Sequence, residues 1–246
     1  MKNLLVANYR AEGRVPEAEL RRLVDAQVAN SIEIGWAASD LVVVTNLALD
    51  LPVNVVRAPL NETCLKGSKM FALHYLLDRR LLTGSELWWA HDLDAWQNYW
   101  FDPPDVADIG LAEYSIRKFN GGSVFIRAAA HDLVAAIVAR IAAANRLREE
   151  PAINAVLRSS DCKHRVTTLN STYNVGCSGY AVRHRRSLKP ILVSHFHPRD
   201  RRSWRTHVEG MNDLGEASVA PRLRELLVQH FYGANHPLQN CPKGLR

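Results

Sequence analysis

Leu41-Val-Val-Val-Thr45 is the segment that most narrows what this chain can fold into. A continuous β-branched run without alternation does not suit a strand with one wet face; it suits a strand covered on both. Around it, other segments take turns at strand and helix patterns. Lys2 to Asn8 reads as a first strand, and Pro16 sits at the first turn of a helix in which Leu20, Leu23, Val24 and Val28 recur at helical spacing. Val53 to Arg57 is a short strand. Gly67 to Leu82 is a helix with Met70, Leu73, Leu76 and Leu77 on one face, and Leu87 to His91 is a strand.

The alternation continues with a short strand from Asp108 to Glu113, then Lys118 to Arg127, where Asn-Gly-Gly reads as a turn running into the strand Ser-Val-Phe-Ile. Ala128 to Leu147 is a helix with Leu133, Val134, Ile137, Val138 and Ile141 facing the core, and Glu150 to Arg158 is a further helix. Ile191 to Ser194 is a late strand, and Pro221 to Phe231 is a helix with Leu223, Leu226, Leu227 and Phe231 inward. Strands alternating with helices predict an α/β sandwich around a mostly parallel sheet. In such sheets ligands gather beyond the carboxyl ends of the strands. With 246 residues and no linker, repeat or low-complexity tract, a single domain over residues 1–246 is the simplest division.

Glu86-Leu-Trp-Trp-Ala-His-Asp92-Leu-Asp94 places acids at such a carboxyl end. In an extended backbone, residues i and i+2 point to one side. Asp92 and Asp94 are therefore expected to converge on a divalent ion, Mn2+ or Mg2+, with phosphate oxygens completing its shell. A bare D-x-D is a common triplet, and solvated turn aspartates are the plainer reading. Net charge is +6, which favours anionic partners, and Arg183, His184, Arg185, Arg186, Lys189, Arg199, Arg201, Arg202 and Arg205 crowd one stretch. Cys64, Cys162, Cys177 and Cys241 show no C-x-x-C spacing, so reduced thiols are expected. No apolar run reaches about 18 residues, and the apolar part of Met1 to Arg10 is too short for a signal peptide. No membrane insertion and a cytoplasmic location are the expectations.

Further segments join the D-x-D in a set order: Lys118-Phe-Asn-Gly-Gly-Ser-Val-Phe-Ile126, Glu149-Glu-Pro-Ala-Ile-Asn154, Leu169-Asn-Ser-Thr-Tyr-Asn174, and Val193-Ser-His-Phe-His-Pro198 with Trp204 downstream. Together they resemble the GT-A glycosyltransferases related to the glycogenin and lipopolysaccharide galactosyltransferase family. The resemblance implies a GT-A-like, Rossmann-like α/β/α sandwich with a mostly parallel mixed central sheet. It implies a nucleotide-binding half over about residues 1–100 and an acceptor half over about 101–246. It also implies a nucleotide-sugar donor, with a UDP-sugar as first expectation, and an acceptor hydroxyl on a protein, a glycan or a modified DNA base.

The same resemblance assigns roles. Asp92, Asp94 and His195 hold the metal, with His197 as the competing histidine. Arg202 stands where the family has a diphosphate-binding lysine, although the family's glycine and Lys-Pro-Trp are absent here. Lys69 resembles the family's basic residue on the helix before the D-x-D strand and is expected to touch the diphosphate or the nucleobase region; a solvated helix lysine is the alternative. Asn120 is expected to bond a sugar hydroxyl, with Gly121 and Gly122 giving a ligand room to approach. Glu149, then Glu150, is expected to bind donor-sugar hydroxyls or to deprotonate the acceptor; as acids at a helix start they also favour its dipole. Tyr9 and Asn46, at the ends of the first strands, are placed against the nucleotide base from topology.

Readings from other classes compete. A nucleotidyltransferase of similar architecture opens with a Gly-rich loop, and this chain has only Ala11-Glu-Gly13-Arg there. A metallophosphoesterase wants an early D-x-H, which is missing. A basic nucleic-acid-binding protein would use the Arg/His stretch and Trp204, but it leaves the buried strand ending in Asp92 and Asp94 without a purpose.

Overall fold

The computed structural model describes residues 1–13, 15–60, 67–115, 118–143, 148–176, 180–197, 207–214 and 216–233. Its elements are β1 (Lys2–Ala7), α1 (Glu17–Ile34), β2 (Leu41–Thr45), β3 (Asn54–Arg57), α2 (Ser68–Asp78), β4 (Trp88–His91), β5 (Ala95–Gln97), β6 (Ile109–Ser115), β7 (Lys118–Ile126), α3 (His131–Ala143), α4 (Glu149–Leu157), β8 (Val166–Leu169), β9 (Val175–Gly176), α5 (Tyr180–Arg186), β10 (Val193–His195), α6 (His207–Asn212) and α7 (Pro221–Tyr232).

Strand β2 is buried along its whole length. Its side chains alternate between cores: Val42 and Val44 pack with Leu4, Met70, Leu73 and Ile137, while Leu41 and Val43 pack with Leu5, Leu20, Val24 and Trp89. The apolar faces of α2, α3 and α4 supply the first layer, and α1 covers the opposite face. The result is an α/β/α sandwich on a seven-stranded sheet of order β3-β2-β1-β4-β7-β6-β8. Strands β1 to β4 run parallel, β7 is antiparallel to β4 and β6, and β8 is parallel to β6. A second sheet, β5-β10-β9, packs beside it, and a third core joins Trp96 and Phe196 to α6 and α7.

Strand β4 is the spine of the site. Trp89 is fully buried, stacks on His91 at 4.0 Å and donates its indole N–H to Ser123 Oγ at 2.8 Å. Truncating a buried tryptophan typically costs about 3–5 kcal/mol, so this position anchors β4 to β7. Burial lowers His91 to about 4, which keeps it neutral, and its Nε2 lies 3.0 Å from Asn3 Oδ1 on β1.

The expected helices and strands over the chain's first half appear with ends shifted by a few residues. Two readings change. The Asn120-Gly-Gly stretch is not a turn: β7 begins at Lys118 and runs straight through it. Asp92 N–H donates to Gly122 O at 2.9 Å, so the β4–β7 pairing is carried past the end of β4. The helix expected from Ala128 opens as a 3-10 turn and becomes α3 only at His131; its expected end at residues 144–147 lies outside the described residues. The sequence reading missed β5, β8, β9, α5 and α6, which are short elements without a clear period. Among the described residues, no helix is long and apolar enough to cross a membrane.

Candidate metal and phosphate site

The chain leaves β4 at His91, turns through Asp92–Asp94, and enters the second sheet as β5. The acids therefore sit in a turn, closed by Ala95 N–H donating to Asp92 O at 2.9 Å, rather than on one face of a continuing strand. They converge all the same, because each is held by a different sheet. Asp92 faces the large sheet, where Lys69 Nζ lies 2.5 Å from its Oδ1. Asp94 faces the small sheet: its Oδ1 is 3.1 Å from His195 Nε2 and its Oδ2 is 2.6 Å from His197 Nδ1.

Alternation carried on from β10 into the two residues after it explains the histidine pair. His195 and His197 fall on one side, and Phe196 points the other way into the third core, stacked on Trp96. Phe196 N–H donates to Asp94 O at 3.1 Å and fixes the register. Burial opposes charge on Asp94, yet His195 and then His197 hold its carboxyl well below the usual range. Burial likewise opposes charge on His195, and Asp94 overcomes it and raises the imidazole.

Hydrogen-bond logic sets the His195 tautomer. The backbone N–H of Gly122 only donates, so the Asn120 atom facing it at 2.8 Å is the oxygen. That oxygen also accepts from Asn174 Nδ2 at 2.6 Å, which turns the Asn174 oxygen toward His195 Nδ1, 3.2 Å away. Nδ1 therefore carries a hydrogen; in the raised imidazole Nε2 carries one too and donates to Asp94 Oδ1, and its loss would free Nε2 toward an ion shared with Asp94 and with Asp92, whose Oδ2 is 4.0 Å off. Asn174 is the residue that the sequence reading missed as a site member. Its Tyr-Asn motif marked the segment, but only the fold shows that the amide reaches His195.

The donor set fits a divalent ion. The ligand atoms of Asp94, His195 and His197 lie within 4.8 Å of one another, and Asp92 Oδ2 flanks them. Carboxylate oxygens with imidazole nitrogens suit Mn2+, and the oxygens alone suit Mg2+. His195 is buried, whereas the His197 side chain is 50% exposed.

Lys69 is not a solvated helix lysine. Only 4% of its side chain is exposed, and it binds Asp92, the Gly121 carbonyl oxygen and, at 3.2 Å, Glu149 Oε1. Burial works against its charge, but the Asp92 and Glu149 carboxylates prevail and raise it above the ordinary lysine range. Glu149 behaves oppositely. Burial raises it to about 7 despite Lys69, whose ammonium is the group beside its buried Oε1. Burial also raises Glu150, whose Oε1 accepts from Asn120 Nδ2 at 3.3 Å.

Asn154 explains why the Glu149–Asn154 segment stays beside β7. Its amide accepts from Phe119 N–H at 2.7 Å and donates to Phe119 O at 2.9 Å, clasping the strand one residue before Asn120. The glycines serve close packing inside the protein. A Cβ on Gly122 would lie 2.4 Å from the His195 ring, and one on Gly121 would lie 2.8 Å from Glu149 Oε1.

Tyr9 and Asn46 meet beyond β1 and β2. Tyr9 N–H donates to Asn46 Oδ1, and Asn46 Nδ2 donates to Tyr9 O, both at 2.8 Å. The Asn46 amide is thus engaged in shaping the Tyr9 backbone. Arg202, with Arg199, Arg201, Trp204 and Arg205, lies outside the described residues.

The architecture matches solved glycosyltransferases. The galactosyltransferase LgtC, solved with donor and acceptor sugar analogues, aligns with a TM-score of 0.56 at 13% identity, over 92% of this chain and 95% of that one. GlyE of Streptococcus pneumoniae aligns with a TM-score of 0.56 at 13% identity over 94% of this chain, which spans 60% of the GlyE chain. A glycosyltransferase involved in glycosylation of the major capsid of PBCV-1 aligns with a TM-score of 0.50 at 11% identity, over 79% of this chain and 93% of that one. No protein-family model and no curated protein matches the sequence. The fold class is thereby defined: this is a GT-A-like domain, built like these glycosyltransferases.

Proposed function

We propose that this protein is a metal-dependent glycosyltransferase, moving a sugar from a nucleotide-diphosphate sugar to an acceptor hydroxyl. The observation that carries the reading is the meeting of Asp92, Asp94, His195 and His197 beyond the carboxyl end of β4, on a fold shared with sugar-transferring enzymes. Asp92, Asp94 and His195 would hold the Mn2+ or Mg2+, with His197 the alternative imidazole. When bound, that ion supplies Lewis-acid stabilisation of charge on a diphosphate leaving group.

The chain's own groups complete the reading. Lys69 pairs with the Asp92 carboxylate and aims it, and its buried positive charge favours an anionic ligand nearby. Glu149, beside Lys69 and Asn120-Gly-Gly122, would bind a sugar hydroxyl, and its raised carboxyl suits proton exchange near neutral pH. Glu150 and Asn120 form a bonded pair that can orient a further hydroxyl. Tyr9, braced by Asn46, offers its ring to the nucleotide base, for which uracil is our first choice. Arg202 remains our candidate for an added cation on the diphosphate. The acceptor hydroxyl belongs to a protein, a glycan or a modified DNA base.

A panel of UDP-, GDP- and TDP-sugars with Mn2+, read by thermal shift and by sugar release, tests this. A UDP-sugar should stabilise the protein and be hydrolysed slowly, and Asp94→Asn should remove both effects from a folded protein. If no nucleotide sugar stabilises it, another metal-dependent phosphate enzyme becomes the better reading.

A further inference from the structure

A second cluster of ligand-type side chains lies away from the D-x-D, further along α2. His74 and Asp78 are four residues apart on α2 and so share a face. His131 opens α3 opposite them. His131 Nε2 lies 2.7 Å from Asp78 Oδ1, His74 Nδ1 lies 3.2 Å from Asp78 Oδ2, and the rings are 5.7 Å apart. One ligand atom from each falls within 4.8 Å of the others. Water reaches all of them: the side chains are 29%, 48% and 49% exposed for His74, Asp78 and His131.

The surroundings leave space at the cluster. Asp78 and His131 line a cavity of about 450 Å3 together with Leu82, Thr83 and Arg80. Arg80 takes a positive φ of 53°, the left-handed geometry that closes a helix end, with Leu81 N–H bonded to Leu76 O at 2.8 Å. This turn brings the following loop back alongside His131, so the cavity is walled by the chain reversal after α2. Exposed pairing of a histidine with a carboxylate contributes little to stability by itself. It does not by itself require that both histidines address one carboxylate with separate oxygens.

We propose that His74, Asp78 and His131 form a second metal site, for a borderline transition ion of the Zn2+ class. Two imidazoles and one carboxylate are a three-ligand set that such ions accept, leaving one position open to water. Asp78 and His131 of the set line the cavity, which leaves room beside them for that position. The set differs from the D-x-D site, where carboxylates carry more of the donor character and harder ions compete. An ion here staples α2 to α3, and α2 is the helix whose first turn carries Lys69. The site stands on its own residues and does not depend on the sugar-transfer reading.

Calorimetric titration of tag-free protein with Zn2+, paired with Co2+ absorption, tests the proposal. The native protein should bind one more equivalent of Zn2+ than the double variant His74→Asn with His131→Asn. Each single substitution should weaken that equivalent by more than about tenfold. Mn2+ binding at the D-x-D site should be the same in all of them, and the metal-free melting temperature should hardly move, since His131 is exposed and His74 is part-exposed at the surface. An unchanged Zn2+ stoichiometry in the double variant overturns the site, and so does a native protein that takes up no Zn2+. Should the double variant melt early, Asp78→Asn read by the Co2+ spectrum decides instead: retention of the native spectrum also overturns it.

Discussion

Gly122→Ala is the sharpest test of the His195 assignment. An added Cβ would stand 2.4 Å from His195 Cε1 and Nδ1 and 2.9 Å from Asn120 Oδ1. Carbon atoms in contact settle at about 3.5–4.0 Å, so the ring must retreat by roughly 1 Å. The His195 bonds to Asn174 and Asp94 are 3.2 and 3.1 Å long. A retreat of that size carries both beyond hydrogen-bond range. Overpacking of this kind costs about 1–3 kcal/mol, which for a chain of this size lowers the melting temperature by roughly 2–4 °C per kcal/mol. The larger effect should be on the ion: loss of an orienting contact typically lowers metal affinity about 10–100-fold. The assay is a Mn2+ titration followed by electron paramagnetic resonance, with melting curves on metal-free samples. Gly121→Ala is the control, because its Cβ would press on Glu149 and Ile153 rather than on His195; it should lose stability and keep most of its Mn2+ affinity. Native Mn2+ affinity in Gly122→Ala would refute the assignment of His195 as a ligand.

Other consequences can be measured separately. Lys69→Met strips a buried cation from Asp92 and Glu149, and removing one partner of a buried pair costs about 3–5 kcal/mol; urea unfolding should show that loss, and Glu149→Gln added to it should restore part. Asn174→Ala should weaken Mn2+ binding about 10–100-fold with a small change in stability. Asn174→Asp, which keeps an oxygen toward His195 Nδ1, should recover much of it; equal losses in both variants would count against a positioning role. Glu149 gives a pH signature. Burial raises its folded-state value from 4.5 to about 7, so between those values the folded chain holds more proton there than the unfolded chain. Stability should therefore fall as pH rises through that window, by at most about 1.4 kcal/mol per pH unit. In Glu149→Gln that decline should flatten, and an unaltered slope would remove Glu149 as its source.

Strongly patterned segments were the most legible part of the chain. Leu41–Thr45 announced a doubly covered strand, and it separates the sandwich's cores. Helices with long apolar stripes, such as α2 and α3, were equally plain. What failed were features decided by distant partners. Asn120-Gly-Gly has turn chemistry locally, yet β7 runs through it because its glycines make room for His195 and Glu149. Lys69 is a site candidate in the sequence, with a solvated lysine as the alternative, but its buried pairing with Asp92 and Glu149 is not encoded locally. The D-x-D pair was placed at the right strand end for an incomplete reason: alternation applies to His195 at the end of β10 and His197 just beyond it, whereas Asp92 and Asp94 converge through a turn. Asn174 was visible only as part of a motif, since its role depends on a bond spanning to His195 that no local pattern encodes.

That turn also joins the two sheets. Asp92 is tied to the large one through Lys69 and Gly122, and Asp94 to the small one through His195, His197 and Phe196. Any ligand gripped by both carboxylates acts as a rivet across the seam. It couples the alignment of β5-β10-β9 with that of β4, so slippage between the sheets and release of the ligand become one event. The site thus measures the domain's own integrity: only a chain whose halves have docked in register can present both acids to the same point.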